Sequence, residues 1–251
     1  MRQSISDRSL RTERYAARLV QSKTELRETQ VFRARCFGLV SGLDRDPWDA
    51  KCDHLIIRRI ETGSIVGCCR LRFVCGREIG AGYTGQQYDL SRLDAVDGPS
   101  MELGRFCIDQ RCRDPDVLRL AWATLTGYVD RTGAALLFGC ASFAGTDPAL
   151  YAAAFAYLRE NAMLREGLVP GRKAHEVHFF TTEVDSALDK RLALKQMPPL
   201  LRSYLALGGG VSDHAVVDRA MNTLHVFIAV ETALIPPKRQ KLLRALCGTA
   251  S

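Results

Sequence analysis

No apolar run in this chain approaches the ~20 residues that a membrane-spanning helix needs; the longest, such as Leu224 to Val230, is strand-sized and interrupted by His225. The opening MRQSISDRSLRTERYAARLV has basic charge but neither an apolar signal core nor a small-residue cleavage site, so the expected compartment is the cytoplasm. Internal repeats, low-complexity tracts and Gly/Ser linkers are absent, which favours one domain with elaborations over a string of modules. No CxxC pair occurs among the nine cysteines, whose odd number and irregular spacing also argue against a disulfide framework. His175 and His178 form only a loose HxxH, so no metal is expected. Phe138-Gly139-Cys140-Ala141-Ser142 lacks the G-x-S-x-G pattern, and Ser212-Asp213-His214, adjacent in sequence, is not a triad.

Acid is scarce at the two ends. Residues 232 to 251 contain Lys238, Arg239, Lys241 and Arg244 with no Asp or Glu, and residues 1 to 35 carry +5, so the net +7 sits on the ends while the middle is −2. Such patches attract an acidic protein, an anionic membrane surface or nucleic acid, and composition does not choose among them. A solvated basic helix face is the plainer reading of either end.

What is present reads as a mixed α/β chain. A helix is expected around Thr24 to Leu39, followed by a long connection marked by Ser41, Gly42, Asp44, Asp46 and Pro47. His54 to Glu61 and Ser64 to Cys75 read as a β-hairpin turning at Thr62-Gly63, with Arg70 and Arg72 on one side of the second strand. Met101 to Asp109 reads as a central strand and Val117 to Asp130 as a helix stopped by Gly133. Strands at Ala135 to Phe143, Glu176 to Thr182 and Thr223 to Glu231 follow, with helices started by Asp147-Pro148 and by Pro198-Pro199. The order predicts one mixed sheet with helices on both faces. Residues 1–23 are expected as a basic N-terminal segment, 24–235 as the folded domain and 236–251 as a basic tail.

Several segments in this order resemble the GNAT acyltransferases, and within them the ornithine-lipid synthase branch: Phe32-Arg33-Ala34-Arg35-Cys36-Phe37, Trp48-Asp49-Ala50-Lys51-Cys52-Asp53-His54-Leu55, Gly67-Cys68-Cys69-Arg70-Leu71, Met101-Glu102-Leu103-Gly104-Arg105-Phe106, Phe138 to Phe143, and Pro198-Pro199-Leu200-Leu201-Arg202-Ser203-Tyr204-Leu205. The resemblance implies the GNAT fold, a mostly antiparallel central sheet splayed at a β-bulge. It also implies transfer of a 3-hydroxyacyl chain from acyl carrier protein to the α-amine of ornithine, giving lyso-ornithine lipid. Glutamine or another amino acid is the alternative acceptor. Arg33, Asp49, Arg70, Glu102 and Arg105 also look similar to the charged set of acyl-homoserine-lactone synthases, a minor alternative, as is a non-catalytic basic module at a membrane or nucleic acid.

One turn departs from the general GNAT pattern. Where that pattern has glycines whose N–H groups wrap the coenzyme A pyrophosphate, this chain has Arg113-Asp114-Pro115-Asp116-Val117-Leu118. Pro115 has no N–H, and two aspartates repel a pyrophosphate. Phosphopantetheine on a carrier protein carries one phosphodiester and suits the turn better, with Arg111 and Arg113 placed to dock an acidic carrier. No other cofactor is implied.

Aminolysis of a thioester needs a base to take a proton from the amino-acid ammonium. Glu102, set in an apolar strand, is the candidate, since desolvation favours proton uptake by a carboxylate. Arg105, with Arg33 and Arg70, is expected to hold the substrate carboxylate, for which guanidinium gives bidentate geometry. Asp49 or Asp53 is expected to receive a side-chain ammonium. No covalent acyl-enzyme is required. Glu102 and Arg105 are an odd number of residues apart and would face opposite sides of a regular strand, so a β-bulge at Gly104 is predicted. A basic N-terminal helix could rest on the inner membrane leaflet, where a lipid product must go.

Overall fold

Caps and periodicity place the helices nearly where the sequence puts them. The computed structural model describes residues 9–180 and 189–248. In chain order its elements are β1 (Leu10–Arg11), β2 (Tyr15–Leu19), α1 (Lys23–Cys36), β3 (Asp53–Arg59), β4 (Ile65–Val74), α2 (Thr84–Gln87), β5 (Tyr88–Asp89), β6 (Ser100–Ile108), α3 (Pro115–Thr132), β7 (Leu136–Ala144), α4 (Ala152–Asn161), β8 (Gly171–Arg172), β9 (Val177–Phe179), α5 (Lys190–Gln196), α6 (Pro199–Ala206), β10 (Gly210–Asp218), β11 (Thr223–Glu231) and α7 (Pro237–Gly248). They group into two units. The first comprises the chain up to Arg72, Leu103–Gly133 and the chain from Pro237; the second comprises Phe73–Glu102 and Ala134–Pro236.

In the first unit the strands run β1-β2-β3-β4-β6. β2 pairs antiparallel with β3 from Tyr15↔Arg59 to Leu19↔Leu55, and β3 with β4 from Asp53↔Leu71 to Arg58↔Ile65. Ser22 caps α1 by accepting from Glu25 N at 3.2 Å, and Phe32 of α1 packs with Ile56 of β3 and Cys68 of β4. α3 starts on Asp114 and Pro115 and stops at Gly133, whose φ of +65° is the left-handed conformation that glycine adopts without a Cβ penalty. α7 packs on α3, with an Arg244–Asp130 ion pair at 2.8 Å.

In the second unit β7, β11, β10 and β9 are neighbours in that order, all antiparallel. β7 and β11 pair without interruption from Leu136↔Glu231 to Ala144↔Thr223. Tyr88, Phe138, Val216 and Phe227 belong to one core cluster, and α6 packs against β7 and β11.

The α/β fold, the hairpin, the central strand and the mostly antiparallel sheet therefore stand as expected. Four points differ. β10 is a strand where no element was expected, directly after the glycines that end α6, with Ser212, Asp213 and His214 interrupting its apolar residues. The N-terminal segment, expected to form a basic helix, contributes β1 and β2: Tyr15 and Ala17 are buried, a two-residue period that its arginines obscure. The C-terminal tail contains α7, anchored through Leu243 and Arg244. The strand expected over Glu176 to Thr182 spans Val177–Phe179, and residues 181–182 lie outside the described residues. No helix among the described residues is long and apolar enough to cross a membrane.

Candidate active site

Three arginines from three elements of the first unit converge on the loop between α1 and β3. Arg33 of α1 is 1% exposed and grips Asp49 with both terminal nitrogens at 2.9 Å, while its Nε lies 2.8 Å from Asp44 Oδ2. Arg70 of β4 donates from Nη1 to Asp46 at 2.6 Å and to Asp49 at 3.2 Å. Arg105 of β6 donates to Asp44 at 3.0 Å and to Asp46 at 3.3 Å. Gln30 donates to Asp49 Oδ2 at 2.9 Å, and His54 Nε2 donates to the Asp49 carbonyl at 3.0 Å.

Three guanidinium charges thus meet three carboxylates, and the set is internally neutral. That neutrality is what allows burial, since unpaired charges in a low dielectric cost several kcal/mol each. Burial works against the Asp49 charge, but hydrogen bonds and ion pairing with Arg33, supported by Gln30 and Arg70, outweigh it and hold the carboxyl below the ordinary range. Burial likewise pulls His54 down from its ordinary value. Exposure is graded across the set: Arg33 and Asp49 are sealed, whereas the side chains of Arg105 and Asp46 are 12% and 18% exposed.

β6 breaks its own regularity at Arg105. The backbone there has φ +51°, a left-handed conformation that costs a non-glycine residue about 1–2 kcal/mol. The irregularity was expected at Gly104 and sits one residue later. Gly104 instead lies beside the Arg70 guanidinium, where a Cβ would be 3.6 Å from Nε. Glu102, three residues before the kink and 5% exposed, accepts a hydrogen bond from Thr84 N at 2.7 Å. Asp53 opens β3 opposite Leu71, and among the described residues no hydrogen bond links it to the arginine cluster. Strand alternation turns it away from His54, which faces the cluster.

The start of α3 is already occupied. Asp114 caps the helix by accepting from Asp116 N at 3.0 Å, and also receives the Tyr15 hydroxyl at 3.0 Å and Arg14 at 2.6 Å. Asp116 is paired with Arg14 and Arg119. The N-terminal dipole and free amides that would bind a pyrophosphate therefore serve the chain's own carboxylate. Arg111 is exposed and folded back onto Asp109 at 2.9 Å, and Arg113 is exposed.

Of the residues singled out from sequence, Arg33, Asp49, Arg70 and Arg105 come together, and Asp53, Arg111 and Arg113 stand apart. Asp44, Asp46, Gln30 and His54 were missed. The two aspartates look like turn formers, and the available signal was arithmetic: three arginines on predicted core elements require carboxylates, and this loop supplies them.

A family model described as an acetyltransferase (GNAT) domain matches residues 26–123, from α1 through the hairpin and β6 into α3. The L-ornithine N(alpha)-acyltransferase of Rhodobacter capsulatus is 32% identical over 244 residues, covering 90% of this chain and 93% of its own length. The L-ornithine N(alpha)-acyltransferase of Brucella abortus is 31% identical over 231 residues, covering 84% and 82%. Among solved structures, FeeM, an N-acyl amino acid synthase from uncultured soil microbes, superposes with a TM-score of 0.50 at 10% identity over 88% of this chain and 93% of that one, a likeness of fold. Similarity at nearly a third of positions, carried through both units, makes this chain a member of the L-ornithine N(alpha)-acyltransferase family of GNAT acyltransferases.

Proposed function

We propose that this protein acylates the α-amine of L-ornithine, taking a 3-hydroxyacyl group from acyl carrier protein and releasing lyso-ornithine lipid. The observation that carries the reading is the near full-length similarity to L-ornithine N(alpha)-acyltransferases. Glu102 accepts the proton of the substrate ammonium, directly or through one water, and the freed amine attacks the thioester carbonyl. The new C–N bond forms as the C–S bond breaks, and the departing pantetheine thiolate takes up a proton. Thr84 N donates to Glu102 Oε1 at 2.7 Å and so orients the carboxylate.

Arg105 and Arg70 bind the ornithine carboxylate, and Arg33, sealed between Asp44 and Asp49, positions them rather than touching substrate. The side-chain ammonium is assigned to Asp46, the most exposed carboxylate of the cluster, ahead of Asp49 and Asp53. Carrier-protein donation is supported by the self-capped start of α3, with Arg111 and Arg113 flanking it as docking cations for an acidic carrier. A peripheral contact with the inner membrane falls to α7, where Lys238, Arg239, Lys241 and Leu242 are all exposed.

Mass spectrometry of products from an equimolar amino-acid mixture, with 3-hydroxyacyl carrier protein and 3-hydroxyacyl coenzyme A in separate reactions, tests this. Acyl-ornithine from the carrier-protein reaction is expected. Acyl-glutamine would replace the acceptor, and equal yield from coenzyme A would overturn the donor.

A further inference from the structure

Glu102 is oriented by a turn of chain that is itself held by residues far along the sequence. Thr84, whose N–H donates to Glu102 Oε1 at 2.7 Å, opens α2, and α2 is four residues long. One turn of helix is not stable alone, because fixing its backbone costs more than its first hydrogen bond returns. The position of the Thr84 amide therefore depends on what grips α2 from outside.

That grip comes from residues 171–174. β8 pairs with β5 through Tyr88↔Arg172 and Asp89↔Gly171, and Ala174 N donates to the Gln87 carbonyl at 3.0 Å. These backbone bonds hold the end of α2, where Tyr88 is fixed in the core by its bond to the His225 carbonyl at 2.8 Å. At the start of α2 the grip is a side chain: Lys173 Nζ donates to the Gly85 carbonyl at 2.5 Å. Gly85 is also pressed against the chain that precedes it, since a Cβ there would lie 2.0 Å from the Gly80 carbonyl oxygen, so no larger residue fits without moving the turn. Gly85 adjoins Thr84, and a shift of one carries the other. Lys173 is an exposed residue with no core to fill. Ordering so long a side chain costs rotamer entropy, which a charge-assisted bond to a carbonyl offsets.

We propose that Lys173 is a positioning residue for acyl transfer: holding the Gly85 carbonyl, it keeps the Thr84 amide against Glu102 and so sets the angle at which that carboxylate meets the substrate amine. Its catalytic consequence rests on Glu102 being the base, as proposed above; the clamp on α2 does not.

Steady-state acylation of ornithine by the whole chain tests this with Lys173→Met, Lys173→Arg, Glu102→Gln and the double variant of Lys173→Met with Glu102→Gln. Lys173→Met keeps the apolar stem and removes the donor. Its kcat is expected to fall on the order of 10- to 100-fold with the KM for ornithine unchanged, because orientation at the reacting atoms is lost while the arginines proposed to bind substrate lie on β4 and β6. Lys173→Arg, which can still donate to one carbonyl, is expected to restore kcat. In the Glu102→Gln background Lys173→Met is expected to cost nothing further, since both changes act through one carboxylate. Should Lys173→Met fold poorly, Lys173→Ala at the same exposed position carries the test. An unchanged kcat, a rise in KM alone, no recovery with arginine, or an equal loss in the Glu102→Gln background would each overturn the proposal while leaving the base in place. Full activity in Glu102→Gln would remove the base and the role of Lys173 with it.

Discussion

The two units bury polar groups by opposite means. In the first, Arg33, Arg70 and Arg105 cancel Asp44, Asp46 and Asp49, so a charged cluster lies inside at no net charge. In the second, one buried polar group is built from a hydroxyl and two rings: Tyr88 donates to the His225 carbonyl at 2.8 Å and contacts the His214 and His225 rings, His214 Nδ1 lies 2.6 Å from Asp213 Oδ1, and both imidazole Nε2 atoms are buried without a hydrogen-bond partner among the described residues. Two carboxylates are assigned different work: Asp49, bound by Arg33, Arg70 and Gln30, is a structural member, and Glu102, oriented by the Thr84 amide, is the proposed base.

The sharpest way to break that distinction is Glu102→Gln, which keeps an oxygen for Thr84 N but cannot take a proton. A fall in kcat of about 10²–10⁴-fold is expected. Asp49→Asn should do the reverse, leaving Arg33 with a neutral partner in a sealed site and costing about 3–5 kcal/mol in urea unfolding. Full stability in Asp49→Asn, or full activity in Glu102→Gln, would erase the contrast.

Buried histidines set the response to mild acid in both units. Burial lowers His225 to about 4, below the ordinary 6.5, so the folded state resists a proton that the unfolded chain accepts. Stability is then complete above pH 6.5 and declines as pH falls towards 4, by roughly 3 kcal/mol in total. Asp49, also lowered, loses its contribution only as pH falls below the ordinary carboxylate range, whereas His54 and His178, both lowered by burial, respond in the same window as His225; His225→Phe should therefore reduce, without abolishing, the fall in melting temperature from pH 7 to 4. The smallest effect concerns acceptor binding. Asp46→Asn should raise the KM for ornithine about tenfold, the loss of one charged hydrogen bond, while Asp53→Asn leaves it within a factor of two or so. Equal effects would return Asp53 to the site.

Legibility in the sequence followed the strength of local signals. Gly133 after α3 and the Thr62-Gly63 hairpin turn each have one physical meaning, and those elements end and turn where expected, α3 beginning two residues before Val117. β2 and β10 were not legible, because Arg14 and Arg18 flank the buried Tyr15 and Ala17, and Asp213 and His214 interrupt an otherwise apolar strand. In the site, Arg33, Arg70 and Arg105 stood out as charges on expected core elements, and Asp49, itself in a loop, through the resemblance carried by Trp48 to Leu55. Asp44 and Asp46 did not, since a loop aspartate has the same local signature whether it makes a turn or neutralises a distant arginine. The kink in β6 was anticipated, but glycine was credited with a conformation that Arg105 adopts.

The cap on α3 bears on how such enzymes diverge. Asp114 supplies from within the chain the anion that a helix start elsewhere takes from its ligand, and Arg14 and Tyr15 are invested in keeping it there. Aspartate and glycine codons differ by a single base, so one mutation clears that seat and leaves Arg14 behind as a cation facing it. A helix start capped by its own carboxylate is thus one base change from an uncapped one, reached without rebuilding any element of the fold.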